Sequence, residues 1–113
     1  MDIEGAVITA TLDDIETSRD CFALLPLTLI LEDYAATEKI SDLPRRLSTN
    51  GAPPGSTPVA GDISYYAPWG NLALFYRGAG RASGLVKLGK IDSGVEALNH
   101  FSATRITIER IAP

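Results

Sequence analysis

GDISYYAPWGNLALFYRG, residues 61–78, holds the chain's only tryptophan and four of its seven other aromatic residues between two glycines. Its β-prone runs, ISYYA and LALFY, flank Pro68-Trp69-Gly70-Asn71, a tight-turn sequence, so the stretch reads as a β-hairpin. Successive side chains of a strand point to opposite faces. Tyr65 and Tyr66 therefore separate, one into the core and one outward or into a cleft. Phe75 shares a face with Ala73 and opposes Tyr76. Trp69 has two readings: a turn residue packed over a barrel end, or an aromatic platform at a pocket mouth.

Outward from the hairpin, the same alternation recurs. Residues 3–12 (IEGAVITATL) put Ala6, Ile8, Ala10 and Leu12 on one face, the pattern of a strand. DDIETSRDCFALL offers Asp and Thr/Ser caps and an apolar stripe of Cys21, Phe22, Leu24 and Leu25, a short helix ended by Pro26. PLTLILED alternates again, with Leu27, Leu29 and Leu31 on one side. After the hairpin, LVKLGKI (85–91) reads as a strand and SGVEALNHF as a short helix with Ser93 as N-cap. ATRITIERI (103–111) is a last strand, with Ile106 and Ile108 opposed to Arg105, Thr107 and Glu109.

Between Tyr34 and Ala60 the period fails, because Pro44, Pro53, Pro54, Pro58, Gly51 and Gly55 interrupt it. So long an irregular segment in a compact domain is functional, or carries short strands that patterning misses; both are expected here. Six strands, two short helices and frequent turns predict a mainly β, mostly antiparallel sandwich or barrel, with residues 1–113 as one domain.

The net charge of −4 excludes the clustered cations of a nucleic-acid binder. No apolar run reaches the roughly 18–20 residues of a membrane span, and the acidic N-terminus is unlike a signal peptide, so no membrane partner and a cytoplasmic location are expected. One cysteine, Cys21, and one histidine, His100, leave no disulfide and no metal-ligand set, and no phosphate-cradling or nucleophile motif is present; no cofactor and no metal are expected.

LVKLGKIDSGVEALN, a strand leading through Gly-Lys-Ile into a short helix, resembles the corresponding segment of cyclophilins. With GDISYYAPWGNLALFY and LLPLTLILEDY (24–34) beside it, the chain resembles the small bacterial cyclophilin-like proteins along nearly all of its length. The resemblance implies a closed antiparallel barrel of about eight strands capped by two short helices. It therefore adds two strands, which belong in the 35–60 region.

Cyclophilins that isomerise prolyl bonds use an arginine near the amide and an apolar aromatic pocket for the proline ring, and lower a barrier of about 18–20 kcal/mol. LPRRLS supplies Arg45 or Arg46 as the only counterpart of that arginine, and Leu74 or Phe75 corresponds to the pocket phenylalanine. The family's Phe-His before the arginine, its glutamine, its pocket tryptophan and its pocket histidine have no counterparts. Trp69 lies about sixteen residues too early to be that tryptophan.

The expectation is thus a domain that binds a small molecule or an extended peptide, with most of the isomerase pocket gone. Its candidate ligand-binding residues are Glu38, Arg45, Arg46, Tyr65, Tyr66, Trp69 and Phe75, in a cleft between the 35–60 loop and the hairpin. A guanidinium there suits a carboxylate or a peptide carbonyl. The alternative readings are a solvated arginine pair and surface or turn-capping roles for Glu38 and Asp62. For the whole protein they are a divergent peptidyl-prolyl isomerase using Arg45 or Arg46 as catalytic residue, and a structural module whose exposed aromatics make a homodimer.

Overall fold

The protein is described by a computed structural model at residues 2–3, 6–100 and 103–111, with side chains at 8–98 and 105–111. In chain order the elements are β1 (Asp2–Ile3), β2 (Ala6–Val7), β3 (Thr9–Leu12), helix α1 (Glu16–Phe22), β4 (Leu27–Tyr34), β5 (Glu38–Asp42) and β6 (Gly55–Ser56). The hairpin β7 (Asp62–Tyr66) and β8 (Asn71–Phe75) follows, then β9 (Ala82–Ser83), β10 (Leu85–Ser93), a 3-10 helix (Val95–His100) and β11 (Ala103–Ile108). Two short strands do lie in the proline-rich region, β5 and β6. The side chain of His100 lies outside the described residues.

The main sheet runs β2-β1-β11-β4-β5-β8-β7-β10-β3, with antiparallel pairing throughout. It curls into a barrel-like shape, mainly β as expected, but the ladder is open where a closed barrel was expected. The reason lies at the N-terminus. The two edge strands, β2 and β3, belong to one continuous run and are separated only by Ile8. A run divided between both edges cannot hydrogen-bond to itself across the seam, so the chain itself, not a strand pair, spans it.

Alternation sorts the side chains. Leu29 and Leu31 of β4 point inward while Ile30 between them is 55% exposed. Ile63 and Tyr65 from β7, Leu72 and Leu74 from β8, Leu88 and Ile106 join them in the interior cluster, with Ile8 buried at the seam. A second, smaller cluster of Ala73, Phe75 and Leu85 occupies the opposite, outer face of β7, β8 and β10. It is covered by the β6–β9 pair, whose flanking segments are tied down where Ala79 N–H donates to Pro58 O and Ser56 Oγ to Leu85 O.

Helix α1 lacks the side-chain cap expected for it: Ile15 is the N-cap and makes no capping bond. Lateral ties hold the helix instead. Buried Ser18 donates to Leu88 O at 2.7 Å, and Asp20 receives the fork of Arg45 at 2.7 and 3.0 Å and the Ser48 N–H at 2.7 Å. The Arg45 hydrogen bonds, chiefly, hold the Asp20 carboxyl down at about 2. Among the described residues no helix is long and apolar enough to cross a membrane.

Candidate functional site

The outer face of β5, β8, β7 and β10 carries a cavity of about 230 Å³. Ile40 and Leu85 form part of its floor, and Pro58, Ala79 and Ala82 of the covering segments close one side. Alternation places the rest. Glu38 and Phe75 are direct cross-strand partners, as are Tyr66 and Asn71 and, across the β4–β5 hairpin, Tyr34 and Glu38. All five line the cavity, together with Trp69.

Trp69 is delivered by the turn 67–70, and both polar backbone groups of Ala67 hold that turn. Its N–H donates to Gly84 O at 2.9 Å and its carbonyl accepts Arg46 Nη1 at 2.6 Å. Gly84 is required at its position: φ is +81°, and a Cβ would lie 2.8 Å from Pro68 Cδ. So anchored, the indole stands edge-to-face against Tyr34 (centroids 5.4 Å apart, 82°) and Tyr66 (5.2 Å, 84°). Three segments thus contribute one ring each to the cavity mouth, where Trp69 is 52% and Tyr34 44% exposed.

Tyr34 owes its position to a strained turn. Thr37 N–H donates to Tyr34 O, and the two residues between, Ala35 and Ala36, have φ of +54° and +56°. Such turns match the twist of a hairpin but ordinarily use Asn and Gly, because a Cβ there costs roughly 1–2 kcal/mol per residue. Asp33 braces the turn by accepting the Ala36 N–H, and also accepts Lys39 Nζ at 3.0 Å and the Tyr76 hydroxyl. Lys39 is buried on the face opposite Glu38 and lies 5.4 Å from the Tyr76 ring centroid.

Two polar groups of the cavity stand out. Asn71 is 3% exposed, and its Oδ1 is buried without a hydrogen-bond partner. Glu38 is half-buried, and burial, reinforced by the nearby Asp33 charge, pushes its carboxyl up to about 7. A buried amide oxygen and a desolvated carboxyl on residues of one partly apolar hollow resemble the few polar groups that orient ligands in binding pockets generally.

Of the seven residues singled out in the sequence, Glu38, Tyr66, Trp69 and Phe75 meet at this cavity. The other three lie elsewhere. Tyr65 is interior, 1% exposed, its hydroxyl accepting the Leu47 N–H at 3.1 Å. Arg45 forks onto Asp20, and Arg46 holds the turn that carries Trp69 without lining the cavity. Sequence reasoning missed Tyr34, Asn71 and the covering residues. Tyr34 read as the start of the irregular segment, whereas it ends β4, and the hairpin that returns Glu38 beside it has Ala-Ala where a turn signal was sought.

A larger cavity, about 670 Å³, enters the barrel interior past α1. Its depth is apolar, with Ile8, Leu25, Leu72 and Leu74, while the charges that line it, such as Asp13, Asp14 and Glu109, are exposed. The hydroxyl of Ser18 is already engaged with Leu88 O, so this space offers a ligand no uncommitted polar group at depth.

Neither the curated proteins nor the solved structures contain a match to the chain. The curled sheet and its covered outer face agree with one further finding: the sequence model of the cyclophilin-like family matches residues 1–109, and the chain belongs to that family.

Proposed function

We propose that the protein is a binding domain whose ligand enters the outer-face cavity between Tyr34, Glu38, Tyr66, Trp69, Asn71 and Phe75. The observation that carries this is the convergence on one cavity of three aromatic rings, the Glu38 carboxyl and the Asn71 side chain, whose carboxamide oxygen is buried and without a partner. Leaving such a group unpaired costs about 1–3 kcal/mol, which a ligand donor would recover. At about 230 Å³ the hollow is smaller than the roughly 300–1,000 Å³ of sites that enclose drug-sized ligands. It suits a small metabolite, or one side chain of an extended peptide.

An isomerase reading draws less support. The arginine such chemistry needs would have to face the aromatic pocket, and both candidates are committed elsewhere, to Asp20 and to Ala67 O. Trp69 is the only tryptophan and stands at the mouth, so its emission reports occupancy directly. Titration with a panel of metabolites and proline-containing peptides should give a saturable change for at least one member, lost in Asn71→Leu. A flat response to the whole panel overturns the reading.

A further inference from the structure

We propose that the ligand group held in the outer-face cavity is an organic cation, an alkylammonium or methylated ammonium, seated against the rings of Tyr34, Tyr66 and Trp69 with Glu38 as its counter-ion. This rests on the binding reading above and narrows it to one chemical class.

The rings come first. Aromatic faces carry negative quadrupoles that attract cations, and cages of several rings are the established means of holding quaternary ammonium groups. Trp69 is nearly perpendicular to both tyrosines, so the three rings form walls, not a stack. None is sealed in the core: Trp69 and Tyr34 are exposed and Tyr66 is half-buried.

Charge then decides between ligand classes. Among the described residues Glu38 is the only carboxylate that lines the cavity, and no lysine, arginine or histidine lines it. The surrounding cations have other partners: Lys39 pairs with Asp33 on the opposite face, Arg46 with Ala67 O, Arg77 lies over the Tyr76 ring, and Arg81, between the lining residues Gly80 and Ala82, donates to Ser83 Oγ. An anion would meet Glu38 and no counter-charge. A neutral ligand could hydrogen-bond Glu38 but would leave its charge without an ion pair, and no ion pair or hydrogen bond is present for it among the described residues. A cation satisfies Glu38, and an N–H on it, where there is one, also satisfies Asn71 Oδ1.

The elevated Glu38 carboxyl agrees with this. Burial and the Asp33 charge both oppose its ionisation, and a bound cation would counter that opposition. The ionisable groups around it are Tyr34 across the β4–β5 pair, Asp33 and Lys39 beside it, Tyr76 and Arg77 after β8, Tyr66 across the cavity, and Arg81 in the covering segment.

Choline and tetramethylammonium, titrated while Trp69 emission is followed, test the class against 3,3-dimethylbutan-1-ol, the neutral carbon isostere of choline. The expected result is saturable binding of both cations, about tenfold or more tighter than the isostere. Glu38→Gln should weaken the cations about tenfold and leave the isostere unchanged, with a thermal melt confirming that the variant is folded. A trimethyl-lysine peptide separates the two sources of the same group: tighter binding than choline assigns it to a polypeptide side chain, weaker binding to a free small molecule. Equal affinity for isostere and choline, or cation binding indifferent to Glu38→Gln, overturns the proposal. Silence towards the cations while another panel member shifts Trp69 overturns the cation class and leaves the binding cleft standing. Silence towards everything overturns both.

Discussion

Strands β7 and β8 have two faces of similar burial and opposite character. Inward, Ile63, Tyr65, Leu72 and Leu74 are apolar, and the one hydroxyl among them accepts the Leu47 N–H. Outward, the same strands present Asp62, Ser64 and Tyr66 beside Asn71, Ala73 and Phe75. Three of the four buried side-chain oxygens without a hydrogen bond among the described residues, in Asp62, Ser64 and Asn71, lie on that outer face, and Asp62 Oδ1 has only Lys87 Nζ at 3.7 Å. Burial alone therefore does not mark a core. The inner face is finished, whereas the outer face keeps buried oxygens without hydrogen bonds, one of them, in Asn71, on a residue that lines the cavity, and this difference is what the binding proposal rests on.

The largest test of this contrast is on the inner side. Leu74→Ala deletes a fully buried side chain in the barrel and should cost about 3–5 kcal/mol in chemical denaturation. Next is Glu38. Below about pH 4.5 its carboxyl is protonated in both states and costs nothing. Between about 4.5 and 7 the unfolded chain ionises first, so stability falls as pH rises, and above 7 the penalty is complete. Because the group is partly exposed, that penalty is discounted to about 1–2 kcal/mol. Glu38→Gln should abolish the decline, so melts at pH 5 and pH 8 that stay equally far apart in both proteins would refute the assignment.

Deleting a hydroxyl should then have opposite signs on the two faces. Tyr65→Phe strands the Leu47 N–H and should destabilise by about 1–2 kcal/mol, whereas Ser64→Ala removes an unpartnered oxygen and should stabilise by about 0.5–1 kcal/mol. Equal losses in both would erase the distinction. The smallest effect is expected at the mouth, where Trp69→Phe should change stability by no more than about 0.5 kcal/mol while removing the fluorescence signal.

The strands that could be read from the sequence are those with one plainly apolar face, such as β4, with Leu29 and Leu31 against Thr28 and Glu32. The hairpin was legible too, because Pro68 and Gly70 mark its turn. β5 was not. Its inward residue is Lys39, buried and neutralised by Asp33, so the polarity of EKISD is inverted relative to the rule. Strands β6 and β9 are two residues long, below any detectable period. For the site, aromatic density pointed to Tyr66, Trp69 and Phe75. Asn71 read as a turn residue, although the turn ends at Gly70 and Asn71 begins the next strand. The arginine pair attracted attention as chemistry, but its partners, Asp20 and the Ala67 carbonyl, are remote in sequence and invisible to spacing.

The seam at Ile8 has a consequence for the order in which the molecule is made. Among the described residues β3 pairs only with β10, and β1 joins β2 to β11. The first strands synthesised thus acquire their long-range partners only from residues 89–107, after nearly the whole chain has emerged. Contacts so distant in sequence form slowly, since the loop between them must be closed first. During synthesis the β4–β5 and β7–β8 hairpins can form locally, and the β5–β8 pairing that brings them together at the outer-face cavity needs only residues up to Phe75. Most of the cavity's walls can thus be in place before the barrel that supports them is complete.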